Sequence, residues 1–460
     1  MEKIRSANVL TQQDFTQGSI RKQLITFAGP IMLTNLLQVS YQFIDSLWVG
    51  NLLGANALGA ITISSTIVVT VLAFIIGINN ATLTILSQQK GMNDEQGLKK
   101  YVNAFVVILS TLSIVVGLFG YFFSEFLLSF LNTPAEMLNE AKVYLEINFI
   151  GILFIMGYNF IGTVLRALGD SKTPLRFVFI AVVLNAVLDP LFISYFDWGI
   201  HGAAWATVFA QGISFLLALA YTFRRNLVPY SIPHIPSKED TWLILKLGIP
   251  AGLQMMVIFA GVTAILSVVN SFDGAVVAGF GASQRIDSLI TIPAMALGTA
   301  VNSMAGQNIG ANQWERVRQI AVYGTIFNVI ITVTIALGVF LFAEGLTKLF
   351  IQEKEAVTFG TDYLKIVAFF YPFIGINFIL NGVVRGAGAM YQVLILNILS
   401  FWLLRYPLTY FCSSLIGQNG IALGIGISFI ISSIFSFSYF KWGGWKKKEL
   451  FSSNAVLKQS

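Results

Sequence analysis

At 460 residues, 56% hydrophobic and 11% charged with a mean hydropathy of +0.75, the chain is too apolar for a soluble protein, which carries about 25% charged residues. One cysteine (Cys412) and two histidines (His201, His234) exclude a disulfide framework, a Cys-rich metal site and His-based triad chemistry. The formal charge of +6 comes from Lys and Arg in loops, where membrane topology explains them, so it does not mark a nucleic-acid binder.

In chain order, residues 1–22 are polar and lead straight into a full-length apolar run, so no cleavable leader is expected. Apolar runs recur near 24–48, 57–84, 101–123, 142–165, 175–196, 202–222, 243–269, 276–301, 320–343, 361–384, 392–415 and 420–440. Each is long enough to cross a bilayer, which takes roughly 20 residues. Cations gather in alternate loops: Lys3, Arg5, Arg21 and Lys22; Lys90, Lys99 and Lys100; Arg166, Lys172 and Arg176; Arg224, Arg225, Lys238 and Lys246; Arg316 and Arg318; Arg385. The last run is followed by Lys441, Lys446, Lys447, Lys448 and Lys458, whereas the intervening loops hold chiefly Lys142, Lys348 and Lys354. The positive-inside rule therefore puts both termini in the cytoplasm, as an even number of spans requires.

The two halves repeat each other. AGPIMLTNLLQ reads against LGIPAGLQMMV, pairing Pro30 with Pro250; Gln88–Gly91 matches Gln307–Gly310, and RALG at 166–169 matches RGAG at 385–388. The offset stays between 219 and 222 residues. The expected fold is an all-α integral membrane protein of twelve transmembrane helices. They form two six-helix lobes related by a pseudo-two-fold along the membrane normal, with a cavity between them. The expected boundaries are a cytoplasmic tail at 1–22, a first lobe at 23–222, a cytoplasmic linker at 223–242, a second lobe at 243–440 and a basic cytoplasmic tail at 441–460.

Intramembrane polar residues are costly unless paired or hydrated, so they carry the functional reading. In the first span Thr34, Gln38, Tyr41 and Asp45 fall on one helical face, with Asp45 fifteen residues after a candidate bend at Pro30. The fifth span carries Asn185 and Asp189 at i, i+4, followed directly by Pro190. Thr207, Gln211 and Ser214 stripe the sixth, and Tyr144, Asn148, Tyr158 and Asn159 lie in the fourth. Two carboxylates in one low-dielectric pocket titrate as a coupled unit, which suits a proton carrier; a static polar contact between the first and fifth spans is the alternative. The counterpart of Asp45 in the second half is Ile265, so the acids look confined to the first half. Arg285 and Asp287 in the eighth span either snorkel, pair with other groups or line the cavity; Arg405 faces an interface or a carbonyl, and Gln254 is a candidate lining residue. Abundant Phe and Met would suit flat, apolar, cationic substrates through stacking and cation–π contact.

Together these features resemble the multidrug and toxic compound extrusion (MATE) family and, within it, the DinF-like branch. The likeness rests on the twelve runs in two similar halves, Pro30 fifteen residues before Asp45, LGANALGAI after the first span, RALGDSKTP after the fourth and NAVLDP in the fifth, and covers about residues 20–440. The resemblance implies a transporter and not an enzyme: a monomer in the bacterial plasma membrane that exports cationic or amphipathic drugs by antiport, without cofactor or metal. It makes Asp45 the proton-coupled acid, with Asn185, Asp189, Thr207 and Tyr144 in its network. Gln38, Tyr41 and Asn159 would be substrate contacts, to which the residue reading adds Gln211, Gln254 and Arg285. The coupling ion implied is H+, with Na+ as the alternative; relatives with sodium coupling carry an acid in the seventh span, where this chain reads MMVIFAGV. A lipid-linked oligosaccharide flippase of the same superfamily is the other reading, and would call for a strongly cationic cavity.

Overall fold

The computed structural model describes residues 12–451; the expectations for 1–11 and 452–460, including Lys3, Arg5 and Lys458, lie outside them. The described residues fold into helices. In order these are α1 (Ile20–Leu53), α2 (Ala55–Gly91), α3 (Glu95–Phe122), the short α4 (Ser124–Phe130), α5 (Ala135–Ala167), α6 (Lys172–Pro190) and α7 (Gly199–Arg224). The second half has α8 (Lys238–Val269), α9 (Gly274–Gly310), α10 (Trp314–Lys348), α11 (Lys354–Ala368), α12 (Tyr371–Gly386), α13 (Met390–Ile398), α14 (Tyr406–Ile416) and α15 (Asn419–Trp442). Eleven segments are long and apolar enough to span a membrane, and α11 with α12, bent by 52° at Phe369 and Phe370, makes a twelfth. Pro372 accounts for the break: it cannot donate a backbone hydrogen bond and favours the first turn of a new helix. The first span has a mean hydropathy of only 1.2 against 2.4 for the second, the consequence of its polar stripe.

The repeat is carried into the backbone. Asn93 and Asn312, which follow α2 and α9, both adopt positive φ (55° and 57°), as do Gly169 and Gly388 (89° and 81°) after the fourth and tenth spans. Each left-handed residue ends one span and turns the chain toward the next, a role that Gly and Asn fill at low steric cost. In both halves the fifth span of the repeat contains a π-helical stretch, Leu191–Tyr195 and Leu399–Arg405, next to a proline (Pro190, Pro407).

Two compact units result. One holds residues 12–14 and Leu33–Lys246; the other holds Phe15–Met32 and residues 247–451. The sequence reading assigned 23–32 to the first lobe, whereas in the structure Phe15, Leu24, Phe27 and Ile31 are buried in a cluster with Val301, Met304, Ile320 and Val383. Helix α1 thus changes unit between Met32 and Leu33, two residues after Pro30. Within the first unit, helices approach through glycines: a Cβ at Gly151 would meet Val208 Cγ2 at 2.4 Å. Close backbone approach through small residues is how membrane helices gain packing without a hydrophobic driving force.

Candidate functional site

In the first unit, α1, α5, α6 and α7 bring their polar residues to one buried seam. Asp45 is 8% exposed, Asn185 and Asp189 are fully buried, and Thr207 and Tyr144 are 7% and 5% exposed. Asn185 Nδ2 donates to Asp189 Oδ1 at 3.0 Å, the contact that i, i+4 spacing allows. The carboxyl groups of Asp45 and Asp189 lie within hydrogen-bonding reach of each other, from α1 and α6. Tyr41 lies near Thr207, both hydroxyls buried without a hydrogen-bond partner among the described residues, and Tyr144 sits beside Ser65 and Asn148. The π-helical stretch that begins two residues after Asp189 loosens the regular bonding of α6 at this point, a feature common at functional sites.

What distinguishes the seam is a set of buried polar atoms left without partners, hydroxyls of Tyr41 and Thr207 as well as acceptor oxygens. Asp45 Oδ1, Asp189 Oδ2, Asn185 Oδ1, Gln211 Oε1 and Ser214 Oγ are buried with no hydrogen-bond partner among the described residues. Carboxylate and amide oxygens only accept, and buried polar groups are nearly always satisfied. A proton shared between the two acids turns their repulsion into a hydrogen bond; a small monovalent cation or water would satisfy the same oxygens. The arrangement can therefore take up and release one positive charge without importing a lysine or arginine.

Gln38 and Asn159 lie one step away. With Thr34, Tyr158 and Arg166 they line a cavity of about 20 Å³, room for a water molecule. Asn159 Nδ2 donates to the Ile155 carbonyl at 2.8 Å, leaving its amide oxygen toward other partners. Pro30 is half-buried in α1.

The second unit holds the other sequence-predicted residues. Gln254 is 2% exposed with Oε1 unpartnered. Arg285, taken from sequence as a deep cation, is exposed, its guanidinium 5.8 Å from the Phe350 ring. Buried instead are Arg385 and Arg405, 8% and 6% exposed. Arg405 is sandwiched between Phe401 and Phe429, 3.9 and 4.7 Å from the ring centres, and donates to Ser428 Oγ at 3.3 Å; of the two expected settings, an interface or a carbonyl, it takes the interface with α15. The restriction of intramembrane acids to the first half also needs correcting. Asp287 is half-buried and accepts hydrogen bonds from the hydroxyls of Tyr363 (2.9 Å) and Tyr371. Those tyrosines are 76 and 84 residues away, so no local periodicity announces them.

With that geometry established, comparison with known proteins fixes the family. The MatE family model matches twice, over residues 30–191 and 250–411, once per half. The chain is 62% identical over 438 residues to the probable multidrug resistance protein YpnP of Bacillus subtilis, covering 95% of this chain and 98% of that one. It is 27% identical to the probable multidrug resistance protein YoeA of the same organism, covering 97% and 98%. Among solved structures, the MATE transporter VcmN of Vibrio cholerae superposes with a TM-score of 0.89 at 23% identity, covering 95% of this chain and 99% of that one. Two matched halves, the fold and the extended identity agree: the chain belongs to the MatE family of multi-pass membrane transporters.

Proposed function

We propose that the protein is a proton-coupled multidrug antiporter that exports cationic or amphipathic compounds, with both termini in the cytoplasm. The observation that supports this best is the Asp45–Asp189 pair, set among buried polar atoms that lack hydrogen-bond partners. Membership of the MatE family and the names of the relatives YpnP and YoeA support multidrug export; the alternation of Lys and Arg along the chain supports the orientation. In this reading the pair binds a proton from outside, which removes the charge on Asp45 and lets the acceptors of Asn185, Thr207 and Gln211 find new partners. Helix α1 then bends at Pro30, where its helical bonding is already interrupted. Proton and drug compete because each prefers a different state of the transporter, the requirement for any ligand-driven shift. Tyr144 holds the acid pair from α5, and Gln38, Tyr41 and Asn159 contact the drug.

Uptake of a fluorescent cationic dye into inverted vesicles tests the coupling ion. An imposed pH gradient should drive uptake and an imposed sodium gradient should not; Asp45→Asn should abolish it at equal expression. Sodium-driven uptake at uniform pH would replace proton coupling with the sodium alternative. Unimpaired uptake by the Asp45→Asn variant would reject the acid as the coupling residue.

A further inference from the structure

Away from the acid pair, the first unit encloses a second space that the transport reading does not use. It has a volume of about 220 Å³ and lies between α3, α5 and α7, beneath the chain that leads from α7 to α8. Its walls are Val106, Leu109, Met156, Phe160, Phe215 and Leu219. An apolar cavity of about 150 Å³ stays dry and takes up benzene, so a larger one with these walls calls for an apolar occupant. Leu153, also in the wall, is 39% exposed, and Leu216 and Leu217, next to Phe215, are 55% and 45% exposed. The space therefore opens between faces that a bilayer would bathe, and the bilayer itself supplies the occupant.

One end is polar and built. Asn103 in α3 clamps the strap above it by donating to the His234 carbonyl at 2.8 Å and accepting from the His234 N–H at 3.1 Å. Tyr230, at the same end, is held to Thr222 at 3.0 Å. Ser231 lines the space with its Oγ buried and unpartnered among the described residues. Cations at this end include Lys99, one turn before Asn103 on the same helix, and Arg224 and Arg225, which end α7 five and six residues past Leu219; the neighbouring Lys100 is paired with Asp240 at 2.7 Å, and Asp94 and Glu239 lie nearby. The strap also presents Ile232 and Ile235, 89% and 90% exposed, which suits a segment lying in the membrane interface and not one in free solution.

We propose that this space is a binding site for one acyl chain of an anionic phospholipid. The chain enters between α3 and α7, the glycerol ester carbonyl accepts from Ser231 Oγ, and the phosphate lies among Lys99, Arg224 and Arg225. Basic clusters beside membrane spans favour anionic headgroups. A seated lipid pins the strap against the first unit.

Photolabelling in nanodiscs with phosphatidylglycerol carrying a diazirine on one acyl chain tests this, with labelled peptides mapped after digestion. Label should concentrate on residues 102–113 and 153–161, exceed that on the lipid-facing residues 322–341, and be displaced by excess unlabelled phosphatidylglycerol but not by phosphatidylethanolamine. Ser110→Phe and Val106→Phe, two independent ways of filling the space, should each remove that label and leave residues 322–341 unchanged. Arg224→Gln with Arg225→Gln should erase the preference for phosphatidylglycerol. Even labelling of all lipid-facing segments, labelling unaffected by both filling variants, no headgroup preference in the wild type, or displacement by a cationic dye alone would each overturn the proposal.

Discussion

Asp45 and Asp189 are two acids in one buried seam. Asn185 donates to Asp189 Oδ1 at 3.0 Å, and a hydrogen bond to a carboxylate favours its charged form. A hydrogen bond to a charged group is worth about 1.5–3 kcal/mol, and each 1.4 kcal/mol is a factor of about ten in an equilibrium. Asn185→Ala should therefore shift the transport–pH profile and slow export roughly tenfold or more, while the protein still reaches the membrane; an unchanged profile would make Asn185 a packing residue. Much of this seam was legible in the sequence, because helical spacing alone aligns Thr34, Gln38, Tyr41 and Asp45, and joins Asn185 to Asp189. Contacts between distant segments were not. Asp287 with Tyr363 and Tyr371, and Arg405 between Phe401 and Phe429, depend on which helices pack together, and no single helix records that.

At the scale of elements, helix positions followed from the apolar runs, since roughly 20 apolar residues have few other uses. The attachment of Phe15–Met32 to the second unit did not, because it depends on tertiary packing of apolar stretches that look alike in sequence, while the break between α11 and α12 before Pro372 lies inside one continuous apolar run. Helix α1 passes from one unit to the other two residues beyond Pro30, which makes that proline the natural bend. Pro30→Ala restores a backbone donor, so the folded protein should form in normal amount but export poorly; normal export would show that α1 works without bending. The repeat also makes matched packing demands. A Cβ at Gly202 would fall 2.6 Å from the Phe192 carbonyl carbon, and one at Gly424 2.5 Å from Thr409 Cα. Backbone cannot yield as a side-chain tip can, so Gly202→Ala and Gly424→Ala should each cost about 1–3 kcal/mol. Gly338→Ala, with open space at its Cβ, should stay within about 0.5 kcal/mol. Thermal unfolding of the purified variants in detergent ranks the three, and equal melting temperatures would contradict the packing argument.

The whole molecule runs one six-span plan twice and fills the two copies with different chemistry. Left-handed turns recur at Asn93 and Asn312 and at Gly169 and Gly388, and π-helical stretches recur beside Pro190 and Pro407. Yet the first copy presents two facing acids, while the second presents one acid satisfied by two tyrosine hydroxyls and a cation held between aromatic faces. Among the described residues the under-satisfied acid pair lies in one copy alone, which suits the ion coupling proposed above. The most direct measurement is proton release from purified protein in weakly buffered solution when a cationic drug binds. Wild-type protein should release protons in proportion to the drug bound, and Asp45→Asn should bind drug without releasing any. Proton release undiminished in that variant, or drug binding to wild type that leaves the pH unmoved, would contradict the account.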